Sequence, residues 1–314
     1  MRSEPARQVL ERLKGPAATI IVPFNKDYSV DHGALRDWVD FMATRGVPIF
    51  ILTYGSAEMF NLEDQEILAI NQTVAQANRG RAVFVSGTGY WWEDACVRFV
   101  REACDQGADA VFVHVDHRSV GVGDDLFDFY QRVADKTQRV LLAHTVGGPG
   151  FDTGLVKRIS KIDNIVGMKN DGDQFYEYYD FIRAGGDDFA VISGGQMRNF
   201  FFGYQMGSPA YLCPVVTIAP RVSLAFYEHL VEGRLNEARR LIFDFEEPML
   251  CASEELSWHP LIKSALCLAG HFPTGLRRPP SHSLKPEQEP RVRRMLQELQ
   301  AKADALGLEG PLEK

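Results

Sequence analysis

Cysteine is scarce in this chain, and its pattern excludes a metal or disulfide framework. The five cysteines are Cys96, Cys104, Cys213, Cys251 and Cys267. Their number is odd, and no two of them have the CxxC spacing or another spacing typical of metal ligands. We therefore expect small, buried or half-buried thiols in a reducing cytoplasm.

The sequence also lacks an excess of positive charge and any long apolar run. With 34 Lys and Arg against 42 Asp and Glu in 314 residues, the net charge is -8. This balance argues against nucleic acid as the main partner. No segment approaches the length of a membrane-spanning helix. The first residues, MRSEPARQVLERLKG, carry charges throughout and lack the apolar centre of a secretory signal. We expect neither a nucleic-acid nor a membrane partner.

The usual cofactor and metal motifs are absent as well. The sequence contains no GxGxxG, Walker or HExxH pattern. These are the signals for dinucleotide, nucleoside triphosphate and zinc-hydrolase sites. We expect chemistry that needs no metal and no organic cofactor.

What the chain does contain is a regular alternation of short apolar strands and amphipathic helices. Eight strand–helix units follow one another, which predicts an α/β fold of the TIM (β/α)8 barrel type. The expected domains are an N-terminal helix over 1–14, the barrel over 15–233 and a C-terminal helical extension over 234–314. The predicted strands cover 17–24, 47–53, 82–87, 110–115, 140–144, 165–169, 189–193 and 210–213.

Lys169 ends the sixth predicted strand, directly after the apolar run 165–168. Lysine is rarely buried, and a desolvated lysine has a lowered pKa, so part of it is a neutral amine near pH 7. A neutral amine can attack a carbonyl and form a Schiff base. The alternative is a lysine that lies just beyond the strand and points into water.

In such barrels the active site lies at the C-terminal ends of the strands, and this rule selects further candidates. His144, after strand five, is the best acid–base candidate, and the alternative is a histidine that packs at the rim. Arg118 could clamp a carboxylate, or be a solvated or interface cation. His114 lies inside strand four and is expected to pack, and Glu58 is expected to begin the next helix. Ser56 is a further catalytic candidate. The other candidates for substrate binding are Tyr54, Gly55, Ala57, His117, Gly194, Gly195 and Cys213.

A series of segments, in order over some 260 residues, forms a familiar pattern. They are 19–24 (TIIVPF), 54–58 (YGSAE), 107–111 (GADAV), 165–169 (IVGMK), 193–195 (SGG), 207–211 (GSPAY) and 276–280 (LRRPP). In this pattern the chain resembles the dihydrodipicolinate synthase / N-acetylneuraminate lyase superfamily of Schiff-base lyases. The segments 13–15, 87–90 and 226–227 look most like its 5-dehydro-4-deoxyglucarate dehydratase branch. The resemblance implies a TIM barrel with a C-terminal helical extension, a homotetramer built as a dimer of dimers, and Lys169 as the Schiff-base lysine.

Other catalytic positions depart from the superfamily pattern. Its hydroxyl-rich GTTGE loop is reduced here to Gly55-Ser56-Ala57, which leaves Ser56 as the matching hydroxyl. The tyrosine that usually ends strand five is replaced by Ala143 or His144, depending on a short gap. The tyrosine after strand four is replaced by His117-Arg118. Imine formation needs a proton relay, and we expect His144 to provide it.

Two classes of function are consistent with these residues. The first is a cytoplasmic class I lyase on a 2-oxo acid, with pyruvate-dependent C–C cleavage or condensation as the leading reaction and dehydration of a deoxy-keto sugar acid as the alternative. In it, Lys169 forms the imine, Ser56 and nearby amides hold the carboxylate, and Arg118 binds a distal carboxylate. The second is a keto-acid-binding protein that has kept the barrel and lost efficient catalysis.

Overall fold

Eight parallel strands close into a barrel in a computed structural model, which describes residues 2–88, 92–116, 120–145, 150–171 and 174–313. Each strand pairs with the next one along the chain, and β1 pairs with β8. This confirms the (β/α)8 prediction. The strands are β1 Gly15–Thr19, β2 Ile49–Ile51, β3 Val83–Thr88, β4 Ala110–Val115, β5 Leu141–Thr145, β6 Ile165–Asn170, β7 Ala190–Ser193 and β8 Ala210–Leu212.

Helices surround the barrel and continue beyond β8. In chain order they are α1 Glu4–Arg12, α2 His32–Thr44, α3 Asp64–Asn78, α4 Glu93–Asp105, α5 Asp124–Thr137, α6 Thr153–Ile159, α7 Phe175–Gly185, α8 Gln196–Gly203, α9 Pro214–Ile218, α10 Pro220–Val231, α11 Leu235–Leu241, α12 Glu247–Leu256, α13 Trp258–Leu268 and α14 Glu289–Leu306. A π-helical segment, Ile242–Glu246, joins α11 to α12. No helix in the described part of the chain is both long enough and apolar enough to cross a membrane.

Several element boundaries differ from the predicted ones for identifiable reasons. The first strand starts at Gly15 and ends at Thr19. Beyond it, the buried residues 20–24 pair only at isolated points, where the Ile20 N–H donates to the Ile51 carbonyl and Phe24 forms a bridge with Val30. The second strand begins after Pro48, which has no N–H for a ladder hydrogen bond. The sequence prediction missed α9, because its five residues are all buried and show no helical period.

The core has two layers. Alternate strand residues fill the barrel interior, where Ile51, Val85 and Phe112 form one cluster with the apolar face of α1. The other strand residues pack outward against the ring of helices. Because α1 contributes Ala6 and Val9 to the interior cluster, it closes the N-terminal end of the barrel. The opposite end stays open for a site.

Candidate functional site

A β-bulge on β6 aims Lys169 into the barrel. Leu141 pairs with Ile165, but Leu142 pairs with Gly167, so Val166 is an extra residue in the strand. Side chains alternate between the two faces of a strand, and one inserted residue reverses the alternation beyond it. Val166 therefore points into the interior cluster, and Lys169, three positions on, also lines the internal cavity.

Gly167 makes this bulge fit. A β-carbon at this position would lie 2.4 Å from the carbonyl oxygen of Ala190 on the neighbouring strand β7. Only glycine allows the two backbones to approach so closely. The orientation of Lys169 thus depends on the residue two positions before it.

Lys169 is largely buried, with 12% of its side chain exposed toward the cavity. Burial lowers the pKa of its amine to about 8. The Lys169 Nζ contacts Oδ1 of Asp171, which favours the charged amine, but Asp171 is half exposed and burial dominates. A fraction of the amine is therefore neutral at pH 7.

A chain of polar contacts leads from Lys169 into the barrel. The second oxygen of Asp171, Oδ2, lies 3.0 Å from His144 Nε2. His144 Nδ1 in turn lies 2.9 Å from Nδ1 of His114, its register partner on β4. Burial, followed by the charge of Lys169, lowers the pKa of His144 well below its usual value. Burial is also the main cause for His114, whose pKa is likewise well below its usual value. Both imidazoles are therefore neutral at pH 7.

Tyr130 on α5 fixes the backbone of His144. Its hydroxyl oxygen lies 3.0 Å from the carbonyl oxygen of His144 and 2.9 Å from that of Val113, and its single proton is shared between these two acceptors. The backbone N–H of His144 contacts the same hydroxyl oxygen at 3.1 Å. Ala143 packs outward in the helix-facing core while His144 lines the cavity. Of the two residues that the sequence offers in place of the usual tyrosine, His144 is the one that faces the cavity.

Lys169, Asp171 and His144 line a cavity of about 450 Å³ at the C-terminal end of the barrel. A volume of this size suits a small organic molecule. The cavity is lined by Thr19, Thr53, Tyr54, Gly55, Ser56, His144, Lys169, Asp171, Gly194, Gln196, Leu212, Cys213, Pro214, Trp258 and His259. Among the residues that the structure describes, no group of three His, Cys, Asp or Glu side chains is arranged to hold a metal ion.

The loop after β2 is anchored by a buried charge cluster. Glu58 directly precedes a short 3-10 helix, Met59–Asn61, as expected, but its side chain does not cap that helix. The side chain is 1% exposed, and the residue has a left-handed backbone conformation. Its two oxygens contact Lys263 Nζ at 2.9 Å and Arg277 Nε at 2.8 Å. Both cations come from the C-terminal extension. The cluster therefore holds the Tyr54–Ser56 wall of the cavity against that extension.

Most of the predicted site residues meet in this cavity. Lys169, His144, Ser56, Gly55, Tyr54, Gly194 and Cys213 all line it. Ala57 is fully buried, Gly195 directly precedes α8, and neither residue lines the cavity. The predicted roles of all these residues stay predictions. His117 and Arg118 lie outside the described residues. The expectation that His114 packs in the core is correct, but its contact with His144 was not foreseen.

Several cavity residues had no signal in the sequence. Asp171 follows Lys169 by two positions, and from the sequence alone it resembles an ordinary polar turn residue. Its contact with Lys169 becomes apparent only once the bulge on β6 is known. Trp258 and His259 begin α13 in the extension, far from the barrel strands in sequence. Burial lowers the pKa of His259. Only the packing of α13 over the rim brings these two side chains to the cavity.

The fold and the cavity define a (β/α)8-barrel protein with a desolvated lysine at the C-terminal end of β6. Residues 12–299 match the model of the dihydrodipicolinate synthetase family, and the chain belongs to that family. This confirms the resemblance found in the sequence.

Individual relatives are distant but cover most of the chain. It is 28% identical to the probable 5-dehydro-4-deoxyglucarate dehydratase 2 of Streptomyces avermitilis, over 87% of this chain and 84% of that protein. It is 24% identical to the 4-hydroxy-tetrahydrodipicolinate synthase of Syntrophus aciditrophicus, over 85% and 91%. The crystal structure of dihydrodipicolinate synthase from Oceanobacillus iheyensis superposes with a TM-score of 0.85, at 21% identity over 95% of this chain and all of that one. The structural likeness shows the fold.

Proposed function

We propose that this protein is a class I lyase that binds a 2-oxo acid as a Schiff base on Lys169. Membership of the family supports an enzyme of the lyase or dehydratase type. The single observation that supports the imine most strongly is the amine itself. It is buried, has a pKa lowered to about 8, and faces a cavity large enough for a small keto acid.

The reaction would begin with attack of the neutral amine on the keto carbon. The resulting carbinolamine loses its hydroxyl group as water and becomes a protonated imine. In cleavage, the imine accepts the electron pair of the C–C bond at the neighbouring carbon, and the other fragment leaves as an aldehyde. In condensation or dehydration, it accepts the electron pair of a C–H bond at that carbon, and a base takes the proton. Both routes give an enamine. Each step moves a proton at the imine nitrogen, the hydroxyl group or that carbon.

The contacts of His144 and Asp171 support a role for this pair in these proton transfers. Asp171 contacts the amine, and His144 lies 3.0 Å behind it. This pair takes the place that a strand-five tyrosine has in the superfamily pattern. Ser56 and the amides around Gly55 are proposed to hold the carboxylate of the substrate, since they line the same cavity.

The leading reaction remains C–C cleavage or condensation with pyruvate. Dehydration of a deoxy-keto sugar acid is the second candidate, and one observation favours it. The two probable 5-dehydro-4-deoxyglucarate dehydratases are each 28% identical to this chain, against 24% for the synthase of Syntrophus aciditrophicus.

Two further expectations accompany the proposal. We propose a homotetramer, which follows from the family resemblance. We also propose a cytoplasmic location, because all five cysteines are unpaired in the structure. Size measurement in solution and cell fractionation test these two expectations separately from the activity.

A product assay decides between the reactions. The purified protein is incubated with pyruvate and a panel of aldehydes, and separately with deoxy-keto sugar acids, and products are identified by mass spectrometry. The proposal predicts product from one of the two sets and none with the Lys169→Met variant. Saturable keto-acid binding without product in either set would contradict it and favour a binding protein.

A further inference from the structure

His114 is a buried histidine beneath the cavity, outside the predicted active-site set. It is completely buried on β4, with its ring stacked 5.6 Å from that of Phe112. Gly87 on β3 provides its space, because a β-carbon there would lie 3.0 Å from His114 Nε2. The fold thus makes room for an imidazole at this position.

The protons on the two histidines are linked. A neutral imidazole has one N–H donor and one acceptor nitrogen. The 2.9 Å contact between the two Nδ1 atoms needs a proton on one of them and a lone pair on the other. When His114 holds its proton on Nδ1, His144 must hold its own on Nε2, toward the cavity. When His114 holds it on Nε2, the cavity-facing nitrogen of His144 is a bare acceptor.

The neighbours of the pair favour the first arrangement. His144 Nε2 lies 3.0 Å from Oδ2 of Asp171, a carboxylate that can only accept. At the far end, His114 Nε2 has no hydrogen-bond partner of good geometry. The Leu52 carbonyl nearby favours a proton on His114, although its geometry falls short of a full hydrogen bond. The Asp171 carboxylate is a better acceptor than the Leu52 carbonyl. The arrangement with the proton on His144 Nε2 is therefore the more stable one.

We propose that His114 is a positioning residue that donates its Nδ1–H to His144 and so fixes His144 as the tautomer that donates Nε2–H to Asp171. The proposal rests on the proposed proton-transfer role of His144 and Asp171, and it divides that role between them. His144 orients the carboxylate, and Asp171 is the member of the pair that accepts a proton from the amine. The group beyond His114 is the Leu52 carbonyl, which cannot transfer a proton further. His114 therefore fixes the tautomer of His144 and is not part of a proton relay.

Nuclear magnetic resonance of the full chain labelled with ¹⁵N-histidine tests this without any substrate. The nitrogen shifts and two-bond couplings show which nitrogen of each ring carries the proton. The proposal predicts Nδ1–H for His114 and Nε2–H for His144 at pH 7, with the two rings assigned from their variants. Among the described residues, Lys169 and Asp171 are charged groups that face the pair, and Tyr54 and Tyr130 are phenols beside it. Observation of Nδ1–H on His144 would overturn the proposal.

Two variants separate orientation from simple packing. His114→Leu fills the space but cannot donate, so His144 should lose its single tautomer and kcat should fall about tenfold or more, as when other orienting partners are removed. His114→Asn carries an amide that can donate at the Nδ1 position, and it should restore the tautomer and most of kcat. An unchanged His144 tautomer in His114→Leu would contradict the proposal.

Control measurements separate the effect of His114 from other causes of a change in the spectra. His32→Asn is a matched control, since the His32 ring contacts Thr73 Oγ1 at 2.8 Å, away from the cavity. It should leave the His144 signals unchanged. If His114→Leu does not fold, the spectra of the natural protein and of His114→Asn still decide the tautomer. If no substrate is turned over, the tautomer result stands by itself, so failure of the lyase proposal is distinguishable from failure of this one.

Discussion

Two buried lysines in this protein share a low pKa but differ in what surrounds them. Burial lowers the pKa of both Lys169 and Lys263 to about 8. Lys263 is 2% exposed and enclosed, with Glu58 at 2.9 Å and the Leu276 carbonyl at 3.0 Å. Lys169 faces a cavity and contacts the half-exposed Asp171. A lowered pKa therefore does not by itself mark a reactive amine, because access to a substrate must accompany it.

The partners of the two lysines also differ in kind. Glu58 accepts from Lys263 and Arg277 together, and the Lys263 amine lies 3.9 Å from the centre of the Phe24 ring. Such a saturated cluster joins the β2 loop to the extension and leaves no room for a reactant. Asp171 instead connects its lysine to a histidine. The first arrangement suits structure, and the second suits proton transfer.

The largest expected effect comes from replacing each lysine in turn. Lys169→Met should lower turnover by roughly 10⁴-fold or more, since the covalent step is removed. Its free energy of unfolding should stay equal or rise, because a desolvated amine is replaced by an apolar chain of similar length. Lys263→Met should keep keto-acid adduct formation at Lys169. Assays of turnover and urea unfolding on both variants check this, and loss of the adduct in Lys263→Met would erase the distinction.

Removing the histidine next to Lys169 should give the next largest effect. His144→Ala should lower kcat by roughly 10²- to 10⁴-fold, because it disables the Asp171–His144 pair that is proposed to supply acid–base catalysis. Imine formation should persist at high pH, where the amine is neutral without help. Steady-state kinetics and borohydride trapping at pH 9 measure the two quantities. Unchanged turnover would remove His144 from the mechanism.

Breaking the structural cluster should act on stability first. Glu58→Gln leaves two buried cations without a carboxylate and should lower the free energy of unfolding by about 3–5 kcal/mol. Glu66→Gln is the matched control, because Glu66 contacts Arg278 at 2.6 Å through both oxygens but is more exposed. Its loss should be smaller. If urea unfolding showed equal losses of unfolding free energy in the two variants, burial of the Glu58 cluster would make no extra contribution to stability.

The pH dependence of imine formation sharpens the comparison further. The pKa of Lys169 is lowered to about 8, so the neutral amine increases as pH rises toward 8 and is nearly complete above it. The single-turnover rate of trapping should therefore rise about tenfold per pH unit below 8 and level off above it. For a lysine with an ordinary pKa, the trapping rate would keep rising toward pH 10.5. A plateau beyond pH 10 would contradict the desolvated environment of Lys169.

Sequence reasoning reached the barrel and its central lysine, because both depend on local pattern. Eight apolar strands between amphipathic helices predict a (β/α)8 fold, and the C-terminal end of a strand predicts a site. The sequence alone could not predict that Lys169 points into the barrel, since this orientation depends on the bulge at Val166 and on Gly167. No pattern of apolar and polar residues shows a register shift between two strands.

Long-range contacts were equally out of reach. The His114–His144 contact requires the register between β4 and β5, and the Glu58–Arg277 contact joins residues 219 positions apart. Asp171 was visible as a polar residue but not as a partner of Lys169. Trp258 and His259 reach the cavity only because α13 packs over the rim. In each case tertiary packing, not local sequence, assembles the contact.

The most direct test of the account is borohydride trapping with pyruvate, followed by intact-mass measurement and peptide mapping. The account predicts one pyruvate-derived adduct per chain, on Lys169, with Lys263 unmodified. An adduct formed only with a longer deoxy-keto acid would keep the Schiff base and favour the dehydratase reaction. An adduct on Lys263, or none with any keto acid, would contradict the central claim that the cavity-facing lysine is the reactive one.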